Sequence, residues 1–150
     1  MSVTAFCNVG MAPYSSNVME FANQPAILYT LALVGICGGL APAACLALGA
    51  KLWRGRSIPL NHLLALVPTA ILLLGGMLIL AISEWNGLLA HLAWDDKLHN
   101  AFFLSAAART IGFNSLDLSQ FNNFSYVVYI FLMLIGGSPG GTAGGMKTTT

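Results

Sequence analysis

Charge is what this sequence has least of. Asp, Glu, Lys and Arg make up 7% of its 150 residues, against roughly a quarter in an ordinary soluble domain, while 57% are hydrophobic. So few solvated side chains cannot cover a water-soluble fold of this length, which excludes the usual soluble classes. A formal net charge of +1 supplies neither a basic face for nucleic acid nor an acidic one for a basic partner. The cysteines, Cys7, Cys37 and Cys45, are odd in number and lack Cys-x-x-Cys spacing, so they read as small apolar packing residues. His62, His91 and His99 are dispersed near the ends of apolar stretches and read as interfacial anchors instead of metal ligands. No basic stretch, apolar core and cleavage site follow Met1, so no signal peptide is expected there. The chain stops at Thr148-Thr149-Thr150 just after Lys147, and both ends read as lying inside a longer protein.

What the sequence does have is long uncharged runs. Ala26 to Ala50 is one, long enough at about 1.5 Å per residue to cross a hydrocarbon layer of roughly 30 Å. Ile58 to Ser83 is a second, with Ser57 as a candidate N-cap and Pro59 in the first turn. A third begins near Leu118 and reaches Ile135, where it meets the segment Gly136 to Gly145 and cannot continue as an unbroken helix. An all-α membrane protein with about three spans is expected. Lys51, Arg54 and Arg56 place the first connection on the cytoplasmic side, opposite Glu84, Asp95, Asp96 and Lys97. Trp53 on one side, and Trp85 with Trp94 on the other, suit the two interfaces. The third span then runs inward toward Lys147.

Between Asp95 and Leu118 the chain is too short for two crossings, yet Leu98 to Ala108 is largely apolar. A re-entrant hairpin fits: a short helix entering from outside, a stop at Arg109-Thr110-Ile111-Gly112, and extended chain leaving through Phe113 and Asn114. Non-helical backbone at that depth must be buried in protein or line a water-filled path.

The chain also repeats itself. At an offset of 102 positions, Gly10 falls on Gly112, Gly35 on Gly137, Gly38 on Gly140, Gly39 on Gly141, Ala5 on Ala107 and Ala41 on Ala143. Val9 falls on Ile111, Met11 on Phe113 and Leu33 on Ile135, with no insertion. A loop-plus-helix unit therefore occurs twice, and transport proteins usually place their path between such copies.

Backbone carbonyls can replace the water around a cation without a fixed charge that would trap it. Glycine at positions 10 and 112 permits backbone angles closed to other residues and lets neighbouring carbonyls face a path. Cys7, Asn8 and Val9 before one glycine, and Arg109, Thr110 and Ile111 before the other, would supply the oxygens. The plainer alternative is that each glycine only makes a turn. Gly140 and Gly145 have phosphate-loop spacing, but Met146 stands where that motif needs Lys and an apolar span precedes it, so nucleotide binding is rejected.

These residues resemble a known family, the Trk/Ktr/HKT superfamily of potassium transporters, in particular its KtrB/TrkH-type membrane subunits. The resemblance rests on Ser2-Val3-Thr4-Ala5-Phe6-Cys7-Asn8-Val9-Gly10, on Ala108-Arg109-Thr110-Ile111-Gly112-Phe113-Asn114, and above all on Gly136-Gly137-Ser138-Pro139-Gly140-Gly141-Thr142-Ala143-Gly144-Gly145-Met146-Lys147. It covers essentially the whole chain. The resemblance implies four helix/pore-loop/helix units, of which residues 1–50 would be the end of one, 51–57 a cytoplasmic connection, and 58–150 most of the next. The first and fourth filter strands would lie outside this sequence. It further implies a potassium pore, with K⁺ held by carbonyls of Asn8, Val9, Thr110 and Ile111 and a gate loop from Gly136 to Gly145. A homodimer in the cell membrane and a cytoplasmic nucleotide-binding regulatory subunit follow from the resemblance alone. For Gly136 to Gly145 the alternative is a close helix crossing built on small residues.

Three further expectations concern single residues. Arg109, a deep cation, either braces filter carbonyls or a carboxylate elsewhere in the protein, or it snorkels to the outer surface. Asp117 either attracts cations to an outer mouth or, with Gln120 three residues on, caps a helix. Glu84, Asp95 and Asp96 are expected on a solvated outer face. The functional reading is potassium uptake with no chemical bond made or broken. A sodium-permeable relative is the alternative. A membrane-embedded enzyme is the remote one, because His62 is the only histidine or carboxylate between Ala26 and Ser83.

Overall fold

The computed structural model describes residues 1–40, 42–55, 60–137, 141–142 and 144–145. The expectations for Arg56, Ser57 and Pro59, and those for Ser138, Pro139, Gly140, Ala143, Met146 and Lys147, lie outside the described residues. The chain is predominantly helical: α1 (Ser2–Phe6), α2 (Pro25–Gly39), α3 (Pro42–Arg54), α4 (Leu60–Ser83), α5 (Trp94–Ala106) and α6 (Asn123–Leu134).

The uncharged stretch 26–50, expected as one helix, is two. α2 starts with Pro25 at its first turn and ends at Gly38-Gly39, where Leu40 turns extended (φ −82°, ψ 143°). Adjacent glycines weaken a helix and a proline just beyond them cannot donate to it, so the axis turns by 114° into α3. α4 keeps Pro68 within its 24 residues, and His62–Ser83 is the one unbroken helix among those described that is long and apolar enough to cross a membrane. The third apolar run yields only the 12 residues of α6, beginning at Asn123.

The centre of the molecule is α5, which packs on both α2 and α4. On one side Phe103 and Ala106 join Leu28, Leu31 and Ala32 of α2. On the other, Leu104 joins Leu80 of α4 and Tyr129 and Leu132 of α6. Two buried polar side chains fix α5 in register. Asn100 Nδ2 donates to the Ala22 and Asp96 carbonyls at 2.8 and 2.9 Å, and Ser105 Oγ donates to the Leu73 carbonyl at 2.7 Å. Gly76 makes room for the latter, since a Cβ there would lie 2.5 Å from Ser105 Oγ. Ile71, Leu74, Leu78 and Ile82 of α4, and Val127, Ile130, Phe131 and Leu134 of α6, are each more than half exposed. A contiguous apolar face of this kind suits lipid or further helices.

Glu84 corrects the expectation of a solvated face. It is fully buried, and its carboxylate accepts from Leu88 N–H at 3.1 Å, Asn122 N–H at 3.0 Å and the Ser125 hydroxyl. The acid closes the C-terminal end of α4 and satisfies the start of α6, where helical N–H groups lack partners. The cysteines also differ from expectation: Cys7 and Cys37 are exposed and Cys45 is half-buried. Trp85 and Trp94 stack edge-on at 5.5 Å, and Lys97 Nζ sits 4.8 Å from the Trp85 ring while donating to its carbonyl at 3.1 Å.

Candidate permeation site

Each copy of the repeat sends a short helix into a loop that ends at a glycine. In the first, α1 unwinds through Asn8 (φ 51°) to Gly10 (φ 69°), with Val9 N–H reaching back to the Thr4 carbonyl at 3.0 Å. In the second, α5 widens into one π turn, Ala107–Ile111, and Gly112 (φ 79°) closes it by donating to the Ala107 carbonyl at 3.3 Å. Left-handed angles at both glycines are what a Cβ would oppose.

The two glycines touch. A Cβ on Gly10 would lie 2.9 Å from the Gly112 Cα and carbonyl oxygen, and one on Gly112 would lie 3.0 Å from the Gly10 Cα. Beyond them, Val18 N–H donates to the Asn114 carbonyl at 3.2 Å, so the outgoing chains are cross-linked too. Among the described residues nothing donates to the carbonyls of Asn8, Val9 or Ile111, whereas those of Val3, Thr4, Ala5 and Ala107 are engaged.

Helix α2 carries both loops on a pair of glycines. A Cβ on Gly35 would lie 2.5 Å from Ile111 Cδ1, and one on Gly38 would collide with the Phe6 carbonyl. The Gly-rich segment lies against the same place. Thr142 N–H donates to the Gly38 carbonyl at 3.0 Å, and its hydroxyl lies 2.9 Å from that oxygen and 3.0 Å from the Phe6 carbonyl. Asn8 Nδ2 donates to the same hydroxyl at 2.9 Å. The segment also doubles back, because a Cβ on Gly136 would strike the Gly144 carbonyl and one on Gly145 would lie 3.0 Å from the Leu134 carbonyl.

The sequence profile of the TrkH family, described as cation transport protein, matches residues 1–150. The chain belongs to that family. It is 34% identical over 157 residues to the potassium/sodium uptake protein NtpJ of Enterococcus hirae, covering 99% of this chain and 33% of that protein. To the Ktr system potassium uptake protein B of Vibrio alginolyticus it is 35% identical over 156 residues (99% and 33%), and to that of Bacillus subtilis 32% over 151 residues (99% and 34%). The chain thus spans about a third of the length of these curated relatives. A TrkH cation transport protein is a transporter and not an enzyme, and it belongs in a membrane.

Within this TrkH chain the two stretches Asn8-Val9-Gly10 and Ile111-Gly112 meet at the contact of Gly10 with Gly112. Cys7 lies in the same loop with its side chain exposed. Among the described residues Arg109 reaches neither the filter stretch expected of it nor a carboxylate. Nη1 donates to the Thr69 carbonyl at 3.1 Å and Nη2 to the Gly136 carbonyl at 3.1 Å, so the guanidinium points away from the filter carbonyls and does not snorkel outward. Asp117 takes the capping alternative, accepting from Ser119 N–H at 3.0 Å, but of a 3₁₀ turn at Leu118–Gln120 and not of α6 itself. That hydrogen bond holds its carboxyl below the usual carboxylate range. Sequence reasoning expected Thr142 to bond backbone or a passing ion, and its hydroxyl does meet backbone carbonyls; Thr69 and the pair Gly35/Gly38 were not assigned contacts. The one available signal was Thr69, a hydroxyl in the middle of the apolar run 58–83 directly after Pro68.

Proposed function

We propose that the complete protein takes up potassium across the cell membrane as a multi-pass subunit, through a pore whose filter is made of backbone oxygens. Carbonyls of Asn8, Val9, Thr110 and Ile111 are the ligands, with Cys7 and Arg109 opening the two filter stretches. The observation that carries this reading is the contact of Gly10 with Gly112, equivalent positions sharing left-handed angles (69° and 79°) and meeting backbone to backbone. Two such loops facing one another, with the carbonyls of Asn8, Val9 and Ile111 turned to no donor among the described residues, suit a shared axis on which a dehydrated cation is coordinated. Residues 1–50 then end one pore-loop unit and 58–150 form most of the next. The two units are joined on the cytoplasmic side. Gly136 to Gly145 is the gate loop beneath the filter, and the break of α6 at Leu134 together with the Thr142 contacts supports that role. Lipid around the exposed faces, a homodimer and a cytoplasmic nucleotide-binding regulator complete the proposal by family likeness.

The test is Gly112→Asp in the full-length protein. Rubidium uptake is expected to fall to background while the protein still reaches the membrane, and normal rubidium flux would refute the filter assignment. One relative's name favours a second reading, since NtpJ is called a potassium/sodium uptake protein. Parallel potassium and sodium uptake curves for the unsubstituted protein decide between the two.

A further inference from the structure

We propose that Cys37 and Cys45 form a redox-sensitive dithiol across the bend between α2 and α3, which a small disulfide of the glutathione class closes into a Cys37–Cys45 disulfide, lowering potassium uptake. The link to uptake rests on reading Cys7 to Gly10 as a filter stretch, whereas the chemistry of the pair does not. Cys37 stands in the last turn of α2 and Cys45 near the start of α3. In one straight helix, side chains eight positions apart are separated by about 12 Å along the axis, too far to touch. Here the axis turns by 114° between them. Cys45 Sγ donates to the Cys37 carbonyl at 3.5 Å, and the two thiols interact as well. An S–S bond of about 2.05 Å would therefore join side chains that already meet.

Access and order of attack follow from exposure. Cys37 is exposed and Cys45 half-buried, and Cys45 also lines an open hollow of about 420 Å³ with Leu46, Gly49, Ala50 and Trp53. That volume falls in the ordinary range for small-molecule sites. Lys51, exposed between the lining residues Ala50 and Trp53, suits an anionic reagent such as glutathione disulfide. Cys37 Sγ gives its proton to water and attacks one sulfur of that disulfide, whose S–S bond breaks to release one glutathione thiolate, which takes up a proton. Cys45 Sγ then loses its proton and attacks the Cys37 sulfur, and the second glutathione leaves in the same way. Two thiols are oxidised and one glutathione disulfide is reduced to two glutathiones. In a reducing compartment such a bond is transient and reports redox state. Once formed, it ties α3 to the end of α2 and fixes the bend. Gly38, next to Cys37, meets the Phe6 carbonyl with no room for a Cβ, so a constraint on this turn reaches the residue before the first filter stretch.

The experiment treats the full-length protein, in native membranes and in proteoliposomes, with glutathione disulfide, blocks remaining thiols with N-ethylmaleimide and maps the linkages by peptide mass spectrometry. The expected product is a Cys37–Cys45 disulfide, two hydrogen atoms lighter than the dithiol and reopened by dithiothreitol. Cys45→Ser, checked for membrane level and monodispersity, should stop at the glutathione adduct on Cys37, since no second thiol is there to displace it. Rubidium uptake by the linked protein should fall by at least about fivefold, the lower end of ordinary coupling, and recover on reduction. Cys37→Ser should be insensitive to the treatment. Thiols at 37 and 45 that both remain open to N-ethylmaleimide would overturn the proposal. So would a glutathione adduct that persists on Cys37 while Cys45 is intact, a linkage from Cys7 to either residue in place of this one, or full uptake by fully linked protein. Normal flux in Gly112→Asp would instead remove the filter reading, and the mapping would still decide whether the dithiol closes.

Discussion

The two loop-plus-helix copies agree at their tips and differ at their roots. At the tips, Gly10 and Gly112 share a left-handed backbone and a common contact. Behind them, α2 stays helical to Gly39, whereas α6 stops at Leu134, whose counterpart at the same offset is Ala32. The first inner helix is a platform whose glycines receive both loops. The second gives up its last turns to a Gly-rich loop that reaches across and bonds to the first. The copies match where Gly10 meets Gly112 and part where the Gly-rich loop meets α2.

The largest effect tests the symmetric part. Alanine at Gly10 or at Gly112 incurs the left-handed penalty of about 1–2 kcal/mol and brings a Cβ within about 3 Å of the partner's backbone. Because each 1.4 kcal/mol is a factor of ten, rubidium uptake should fall by at least about tenfold for either variant. Comparable losses are the expectation. A severe loss at one glycine with a tolerated change at the other would show that the loops are not equivalent.

The next effect separates support from transport. α2 begins without a side-chain cap, while the first turn of α6 depends on Glu84. Glu84→Ala strands buried N–H and hydroxyl donors and should cost about 3 kcal/mol of stability, since hydrogen bonds to a buried charge are among the strong ones. Thermal unfolding in detergent should move down accordingly, with the potassium-to-sodium ratio of the surviving protein unchanged. A shifted ratio would place the acid in the transport path.

A smaller effect probes the asymmetric part. Thr142→Val keeps the shape of the side chain but removes the hydroxyl that meets Asn8 and the Phe6 and Gly38 carbonyls. One network of neutral hydrogen bonds is worth about 0.5–1.5 kcal/mol, so flux in the absence of a regulator should rise by up to about tenfold. Flux that stays level or falls would mean that these contacts do not hold the loop shut.

Much of this arrangement was legible in the sequence, and the reasons for the rest are specific. The glycine register, the short helix before Arg109 and the interruption after Ile135 follow from spacing and backbone permissiveness, which are local. The break of α2 was missed because Gly38-Gly39 lies inside an unbroken apolar run, and hydropathy does not register a turn in an apolar chain. Glu84 was misplaced because a lone acid beside Trp85 looks solvated unless the N–H groups of Leu88 and Asn122, the latter 38 residues away, are known to converge on it. Arg109 was expected to need a partner, and the two it has here are the carbonyls of Thr69 and Gly136. Its acceptors are carbonyls, which every residue carries, so no pattern of residue types could mark Thr69 or Gly136.

The smallest effect concerns Asp117, which stands outside both copies' contacts. Its carboxylate is fully exposed and its pKa is lowered, first by the hydrogen bond to Ser119. A depressed carboxylate pKa stabilises the fold above the unfolded value of about 3.9, and that contribution is lost only as pH falls through the still lower folded value. Between roughly pH 5 and 8 the group is therefore ionised throughout, and Asp117→Asn should leave the pH profile of uptake flat relative to the unsubstituted protein. An acid acting instead as an attractor at the outer mouth would betray itself through salt. Its removal would slow uptake at low ionic strength and do nothing near 0.15 M, where charges are screened beyond about 8 Å. If uptake by the Asp117→Asn variant matches that of the unsubstituted protein at both ionic strengths, the carboxylate serves the 3₁₀ turn alone.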